Sequence, residues 1–233
     1  MNTKQLSLFS LLIFAVLGAA CATPQTSSTT NANNSNATSN MTSNANAMNH
    51  GNMNHNAMNH DAMNHAGMNH ANMESSPNAA SQPYDLQFLD TMIVHHQGAV
   101  DMAKPALEQA SRAELKAFAQ SIIRDQEKEI NQMKQWRESW YAGKPEAINM
   151  DMAGMRDSMK GMDMQALGNA RGNAYDVMFV EQMIPHHEGA VVMSNEALAK
   201  AEHAELKTLA RQIIQSQERE VTQMKQWLKT WQK

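Results

Sequence analysis

Residues 92–102, MIVHHQGAVDM, return with small changes as residues 183–193, MIPHHEGAVVM. Working outward from these two strings, residues 84–141 align with residues 175–232 without a gap at an offset of 91, and more than half of the paired positions are identical. Self-similarity over a fixed interval marks a duplicated structural unit. In the first segment of copy one, Phe88, Met92, His96, Ala99 and Ala103 follow one another at three- and four-residue steps, the period of one helical face. In the second segment Leu115, Phe118, Ile122, Ile130, Met133 and Trp140 form one stripe. Ser111 followed by Glu114 has the form of a capping box, and Gly143 before Pro145 that of a helix stop. No stretch shows strand alternation or a hairpin turn signal. Each copy is therefore expected to be a helical hairpin, with first helices over about 84–109 and 175–200 and second helices over about 111–141 and 202–232. Pro105 and Pro185 fall inside the first helices and are expected to kink them. One hairpin cannot bury its apolar stripes alone, so the expectation is an all-α fold, a four-helix bundle in which the two hairpins (84–141 and 175–233) pair with pseudo-twofold symmetry.

The segments outside the repeats are of three kinds. Residues 1–22 read as an export signal: Lys4 is followed by the apolar run 8–20, which is shorter than the roughly 20 residues a membrane span needs. Gly18-Ala19-Ala20-Cys21 resembles a lipobox and would make Cys21 a lipid anchor, whereas Ala20-Cys21-Ala22 fits ordinary signal cleavage; both leave the chain outside the cytoplasm. Residues 23–83 are rich in Asn, Ser, Thr, Ala, Met and His and carry too few large apolar groups to offset chain entropy, so the composition predicts a disordered tail. Residues 142–174 are a methionine-rich linker.

Composition narrows the chemistry. Cys21 is the only cysteine, which excludes an intramolecular disulfide and multi-thiolate metal sites. A net charge of −4 without a basic block argues against nucleic acid as a partner. The outliers are 21 methionines and 10 histidines. Thioether sulfur is a soft ligand suited to copper(I), and imidazole suits copper in either oxidation state.

These two residue types gather in three places. The first is the repeated string itself, with Met92, His95, His96 and Met102 in copy one and Met183, His186, His187 and Met193 in copy two. On a helix Met92 lies one turn before both histidines, while His95 and His96 point about 100° apart. The second is the linker, where Met150, Met152, Met155, Met159, Met162 and Met164 stand among small and charged residues, with spacings that let several thioethers converge. The third is the tail, whose repeated MNH units place His50, His55, His60, His65 and His70 two residues after a methionine and suit labile capture. On the second helices Gln126, Glu129, Gln217 and Glu220 interrupt the apolar stripe; they either orient the histidines by hydrogen bonds or reach solvent.

The MIxHHxGAVxM motif, the duplicated helix pair and the methionine-rich linker resemble the domain-of-unknown-function family numbered 305. The resemblance covers about residues 84–232 and leaves the MNH tail outside. It implies a secreted, ferritin-like helical bundle and metal handling outside the cytoplasm, since some members are implicated in copper binding and resistance, and it supplies no enzymatic activity.

The leading expectation is an exported protein that binds copper(I), with silver(I) as a second cargo, and sequesters it or carries it to a copper-transport or efflux protein. It would be no enzyme and would touch the membrane only through an anchor at Cys21. One alternative is an envelope-structural or interaction protein. Another is a ferritin-like di-metal redox enzyme, which wants Glu-x-x-His pairs that the sequence lacks before its histidines.

Overall fold

In the computed structural model residues 73–232 are described, and within them the duplication takes the form of helices without any strand. The export signal, Cys21 and the MNH repeats lie outside the described residues. A 3-10 turn (Ala79–Ser81) leads into α1 (Tyr84–Gln109) and α2 (Ala113–Tyr141). Two short helices, α3 (Met155–Ser158) and α4 (Met164–Asn169), interrupt the linker. The second hairpin is α5 (Asn173–Lys200) and α6 (Ala204–Trp231). Both α1 and α5 run on through Pro105 and Pro185 without a break.

The hairpins are unequal in role within themselves. α1 packs on α2 and α5 on α6, while the two hairpins meet along α1 and α5, so the first helices form the inside of the bundle. That is why α1 buries residues around most of its circumference, from Leu86 and Phe88 to Val100 and Met102. The second helices bury one stripe each, Leu115, Phe118, Ile122 and Met133 on α2 and Leu206, Leu209, Ile213 and Met224 on α6. This is the pattern of an amphipathic outer helix.

The expected capping box at Ser111 is not what closes the start of α2. The N-cap is Arg112, and it makes no capping bond of its own. Asp176 of α5 reaches across instead: its carboxylate accepts the Ser111 backbone N–H at 2.9 Å and the Ser111 hydroxyl, and pairs with the Arg112 guanidinium at 2.8 Å. Asp85 of α1 does the same for α6, accepting the backbone N–H groups of Glu202 and His203 and the His203 Nδ1 at 2.7 Å. Each clasp is backed by an aromatic ring, since Arg112 lies 4.5 Å over Trp231 and His203 stacks 3.8 Å from Trp140. Orphan N–H groups at a helix start need acceptors. On α6 Asp85 reaches the N–H of the N-cap residue His203 itself, whereas on α2 Asp176 holds Ser111, one residue before the N-cap, so in both a carboxylate of one hairpin's first helix anchors the turn into the other hairpin's second helix.

The linker is packed onto this frame. Asp90 accepts the Ala147 N–H at 2.9 Å, Thr91 Oγ1 accepts the Asn149 N–H at 2.9 Å, and Gln182 accepts the Asp163 N–H at 3.0 Å. α3 lies directly on α5 at Gly189, where a Cβ would sit 2.3 Å from Ser158 Cβ and 2.6 Å from the Gly154 carbonyl oxygen. Gly154 itself has φ +88°, open to glycine and strained for other residues.

Two outcomes test this frame. Asp176→Ala should lower unfolding free energy by roughly 2–4 kcal/mol, since it leaves the Ser111 N–H and hydroxyl without their acceptor and strands a half-buried guanidinium; chemical denaturation measures it, and a loss no larger than that of an exposed Asp157→Ala control would show that the clasp does not hold the hairpins together. Gly189→Ala should lower it by roughly 1–3 kcal/mol through overpacking, with α3 displaced; an unchanged denaturation midpoint would show that α3 is free to retreat.

Candidate metal centre

The centre of the bundle is where α1 and α5 cross, and the sequence puts imidazoles there. His95, His96, His186 and His187 are all 0% exposed. His95 meets His186 across the crossing with ring centroids 3.8 Å apart and planes tilted by 35°. The neighbouring rings turn outward along the helix circumference, so His96 lies 6.1 Å from His95 and His187 lies 6.2 Å from His186. Each outer ring ends on a carboxylate of the second helix of its own hairpin: His96 Nε2 is 2.7 Å from Glu129 Oε2 and His187 Nε2 is 2.7 Å from Glu220 Oε2. The result is a pseudo-symmetric row, Glu129–His96–His95–His186–His187–Glu220, through the middle of the protein.

The hydrogen bonds fix chemistry as well as position. A carboxylate only accepts, so Nε2 of His96 and His187 carries the proton. In the neutral ring this leaves Nδ1 as the lone-pair atom, and Nδ1 of both residues is buried with no hydrogen-bond partner in the protein. Neither ring nitrogen of His95 has a hydrogen-bond partner of full geometry either. Burial, and after it the neighbouring imidazoles led by His186, push His95 well below the ordinary histidine range, an effect that a weak backbone contribution from His186 offsets only in part. Unpaired buried nitrogen is expensive unless something binds it. Ring centroids 6.1 and 6.2 Å apart within each His-His pair, and in contact at 3.8 Å between His95 and His186, bring the four imidazoles into one group.

Methionines close the row on both sides. Met92 and Met193 belong to one buried cluster and Met102 and Met183 to another, the arrangement of an antiparallel α1–α5 pair crossing at the histidines. The linker joins the first cluster: Met150, Met152, Met155 and Met159 are buried in it together with Met133. Met162 and Met164 are half-buried at its margin and against the second cluster. The linker and the His-His motif, which the sequence presents as two separate places, thus share one cluster of thioethers. Among the described residues no three His, Cys, Asp or Glu side chains converge as a metal-binding group.

Of the polar residues on the second helices, Glu129 and Glu220 are the ones that bond to the histidines. Gln126 and Gln217 do not, yet they are buried rather than turned to solvent, at 4% and 2% exposure. The signal for the carboxylates was present in the sequence, since both copies keep Glu one turn after Gln on the stripe. Asp85 and Asp176 were also identical between copies, but nothing local to them announces a cap on the other hairpin.

The sequence profile of the family described as Domain of unknown function (DUF305) matches residues 17–137 and 85–228, two overlapping regions whose last residues differ by the offset of the duplication. Among solved structures, CopM in its Cu(I)-bound form is 41% identical with a TM-score of 0.54, over 63% of this chain and 96% of that one. CopM in its Cu(II)-bound form matches at 41% identity and TM-score 0.53, over 63% of this chain and 98% of that one, and CopM has Ag-bound forms as well. A DUF305 protein of Streptomyces coelicolor described as secreted is 27% identical with a TM-score of 0.56, over 66% of this chain and 94% of that one. No curated protein matches the chain.

The buried row predicts an acid-sensitive fold in the metal-free protein. The unfolded chain takes up a proton on residue 95 near pH 6.5, while the folded chain resists until well below it. Between those two values the unfolded state binds more protons, so stability falls with pH, by up to roughly 1.4 kcal/mol per pH unit for this one group. Above about pH 6.5 the residue contributes no slope. Denaturant midpoints at pH 7.5, 6 and 5 should therefore fall more steeply for wild type than for His95→Gln; equal slopes would place the acid sensitivity elsewhere.

Proposed function

The chain belongs to the DUF305 family, and we propose that it is an exported binder of soft metal ions, copper(I) foremost and silver(I) as a second cargo, that sequesters the ion or hands it to a copper-transport or efflux protein. The observation that carries this reading is the buried Glu–His–His–His–His–Glu row with methionines on both flanks. Imidazole nitrogens such as Nδ1 of His96 and His187, together with thioethers, are the donor set that soft copper and silver prefer over harder ions. That CopM, at 41% identity, binds Cu(I), Cu(II) and Ag supports the same chemistry here.

The residues divide by task. Nδ1 of His96 and Nδ1 of His187 are the ligand atoms of the outer rings, with His95 and His186 completing one imidazole pair in each hairpin. Glu129 and Glu220 fix the orientation and tautomer of the outer rings through Nε2, as partners of metal-bound imidazoles commonly do. Met92, Met193, Met102 and Met183 supply sulfur from the helices, and Met150, Met152, Met155 and Met159 supply it from the linker. The tail histidines from His50 to His70 serve as low-affinity capture groups ahead of the folded centre. The export reading rests on the signal-like residues 1–22 and agrees with a family neighbour described as secreted. We read the chain as a carrier and not as an enzyme, because its histidines and methionines gather in a buried interior where they offer ligands to an ion.

Anaerobic titration with copper(I), silver(I), zinc(II) and iron(II) against a competing chelator tests this. Copper(I) and silver(I) should bind far more tightly than iron(II), the tightest sites should disappear in His95→Ala/His186→Ala, and Glu129→Ala/Glu220→Ala should weaken them about 10- to 100-fold. Tight paired iron binding with oxygen consumption would instead favour a redox enzyme, and no metal preference at all would favour a structural role in the envelope.

A further inference from the structure

The imidazole row is sealed on every side at the level of its side chains, yet an ion has to reach it. The first helices pack along each other, and the linker covers α5 at Gly189, but α2 and α6 make almost no contact across the outside of the bundle. Between them runs a cleft of about 290 Å³. Its walls include Glu129 and Glu220, the same carboxylates that hold His96 and His187, so the cleft leads to the two ends of the row. These carboxylates are 18% and 20% exposed while the rings they hold are 0% exposed. They mark the boundary between solvent and centre.

The same cleft is lined by Gln126 and Gln217, an equivalent pair in the duplication. Both are more than nine-tenths buried, and neither is satisfied: Oε1 and Nε2 of Gln126 and Oε1 of Gln217 have no hydrogen-bond partner in the protein. Leucine or isoleucine would continue the apolar stripe at these positions, as Ile122 and Ile213 do one turn earlier. Two orphaned amides facing one polar cleft are costly to the fold and call for a ligand that the protein itself does not provide.

Resting on the metal-centre reading above, we propose that the α2–α6 cleft is the port through which the ion reaches the histidines, and that the Gln126 and Gln217 carbonyl oxygens, with Glu129 and Glu220, form its inner transfer site. The ligand is a partly hydrated monovalent soft cation. Oxygen donors hold such an ion too weakly to keep it, which suits a step on the way to nitrogen and sulfur. Each amide oxygen replaces one water of the shell as the ion moves inward, so the hydration is removed in stages and not at once. On the cleft walls Asp125, Glu129 and Glu220 outnumber Lys128 and Arg219, so the lining carries a net negative charge that favours a cation.

The test is the rate of silver(I) uptake by the full chain. Protein and silver(I) are mixed rapidly, chased after a set delay with excess thiosulfate, and the retained silver is counted. The component assigned to the buried centre is the one that survives the chase and is missing in His95→Ala/His186→Ala. Gln126→Leu/Gln217→Leu should slow the filling of that component about tenfold or more while its final occupancy stays at the wild-type level. Gln126→Glu/Gln217→Glu, which keeps an oxygen donor and adds charge, should fill at least as fast as wild type. Circular dichroism confirms that each variant is folded. An unchanged filling rate in the leucine variant overturns the port. A reduced final occupancy at an unchanged rate also overturns it, because the glutamines would then be ligands or supports of the centre itself. If wild type holds no chase-resistant silver that depends on His95 and His186, the metal-centre reading falls first, and the port with it.

Discussion

Four imidazoles without solvent at the crossing of two helices are the constraint around which the rest of this protein is built. A buried ring nitrogen that finds no partner opposes folding. The fold answers part of that demand with Glu129 and Glu220 and leaves the remainder open at Nδ1. The apolar surroundings follow from the same need. Methionine fills irregular space around rings that cannot themselves repack, and its thioether tolerates a polar neighbour better than a branched aliphatic chain would. The two aspartate clasps then hold one hairpin against the other, which keeps His95 opposite His186. A slip of one residue along either helix would turn its ring about 100° away from the crossing.

The duplication gives this centre its symmetry, and the departures from symmetry are informative. The clasp on α2 uses Arg112, a permanent cation, over Trp231, whereas the clasp on α6 uses His203 over Trp140. Arginine and histidine both lie flat on an indole and both meet a carboxylate, so the geometry survives the exchange although the charge is of a different kind. The linker breaks the symmetry more deeply. It brings its methionines to the cluster of Met92 and Met193, and the close approach of Ser158 and Gly154 accounts for a glycine at position 189 of the repeated motif.

Much of this was legible in the sequence because the relevant signals were local and doubled. The helical period ran through Phe88, Met92 and His96 and again through the equivalent residues of the second copy, and the helix limits read from it agree with the structure to within about two residues. The four histidines and their flanking methionines were legible as a group for the same reason. What escaped was interaction between segments distant along the chain. Ser111 and Glu114 have the local form of a capping box, yet the acceptor that wins is Asp176, 65 residues away, because a buried carboxylate also gains the Arg112 guanidinium. The linker likewise looked like an independent site, since composition reports which ligands are present and not what they pack against. That its methionines enter the Met92 cluster depends on the turn at Gly154, where a positive φ folds the chain back onto α5.

The electrostatics of the row bear on which ion it would hold. Taking an ion out of water costs free energy that rises with the square of its charge, so a divalent cation pays about four times the penalty of a monovalent one of equal size. A site for a divalent ion in a protein interior therefore gathers carboxylates, as the di-iron bundles do with four glutamates. This centre has two, and both already accept a proton-bearing nitrogen from His96 and His187. The depressed basicity of His95 reports the same environment, since its surroundings disfavour even the single positive charge of an imidazolium. On the proposed reading, the cation that suits them is one whose charge is spread by polarisable sulfur and by neutral imidazole lone pairs. Burial thus weighs on charge before ligand softness weighs on element, and the two together are the physical ground for proposing copper(I) and silver(I), over zinc(II) and iron(II), as the cargo.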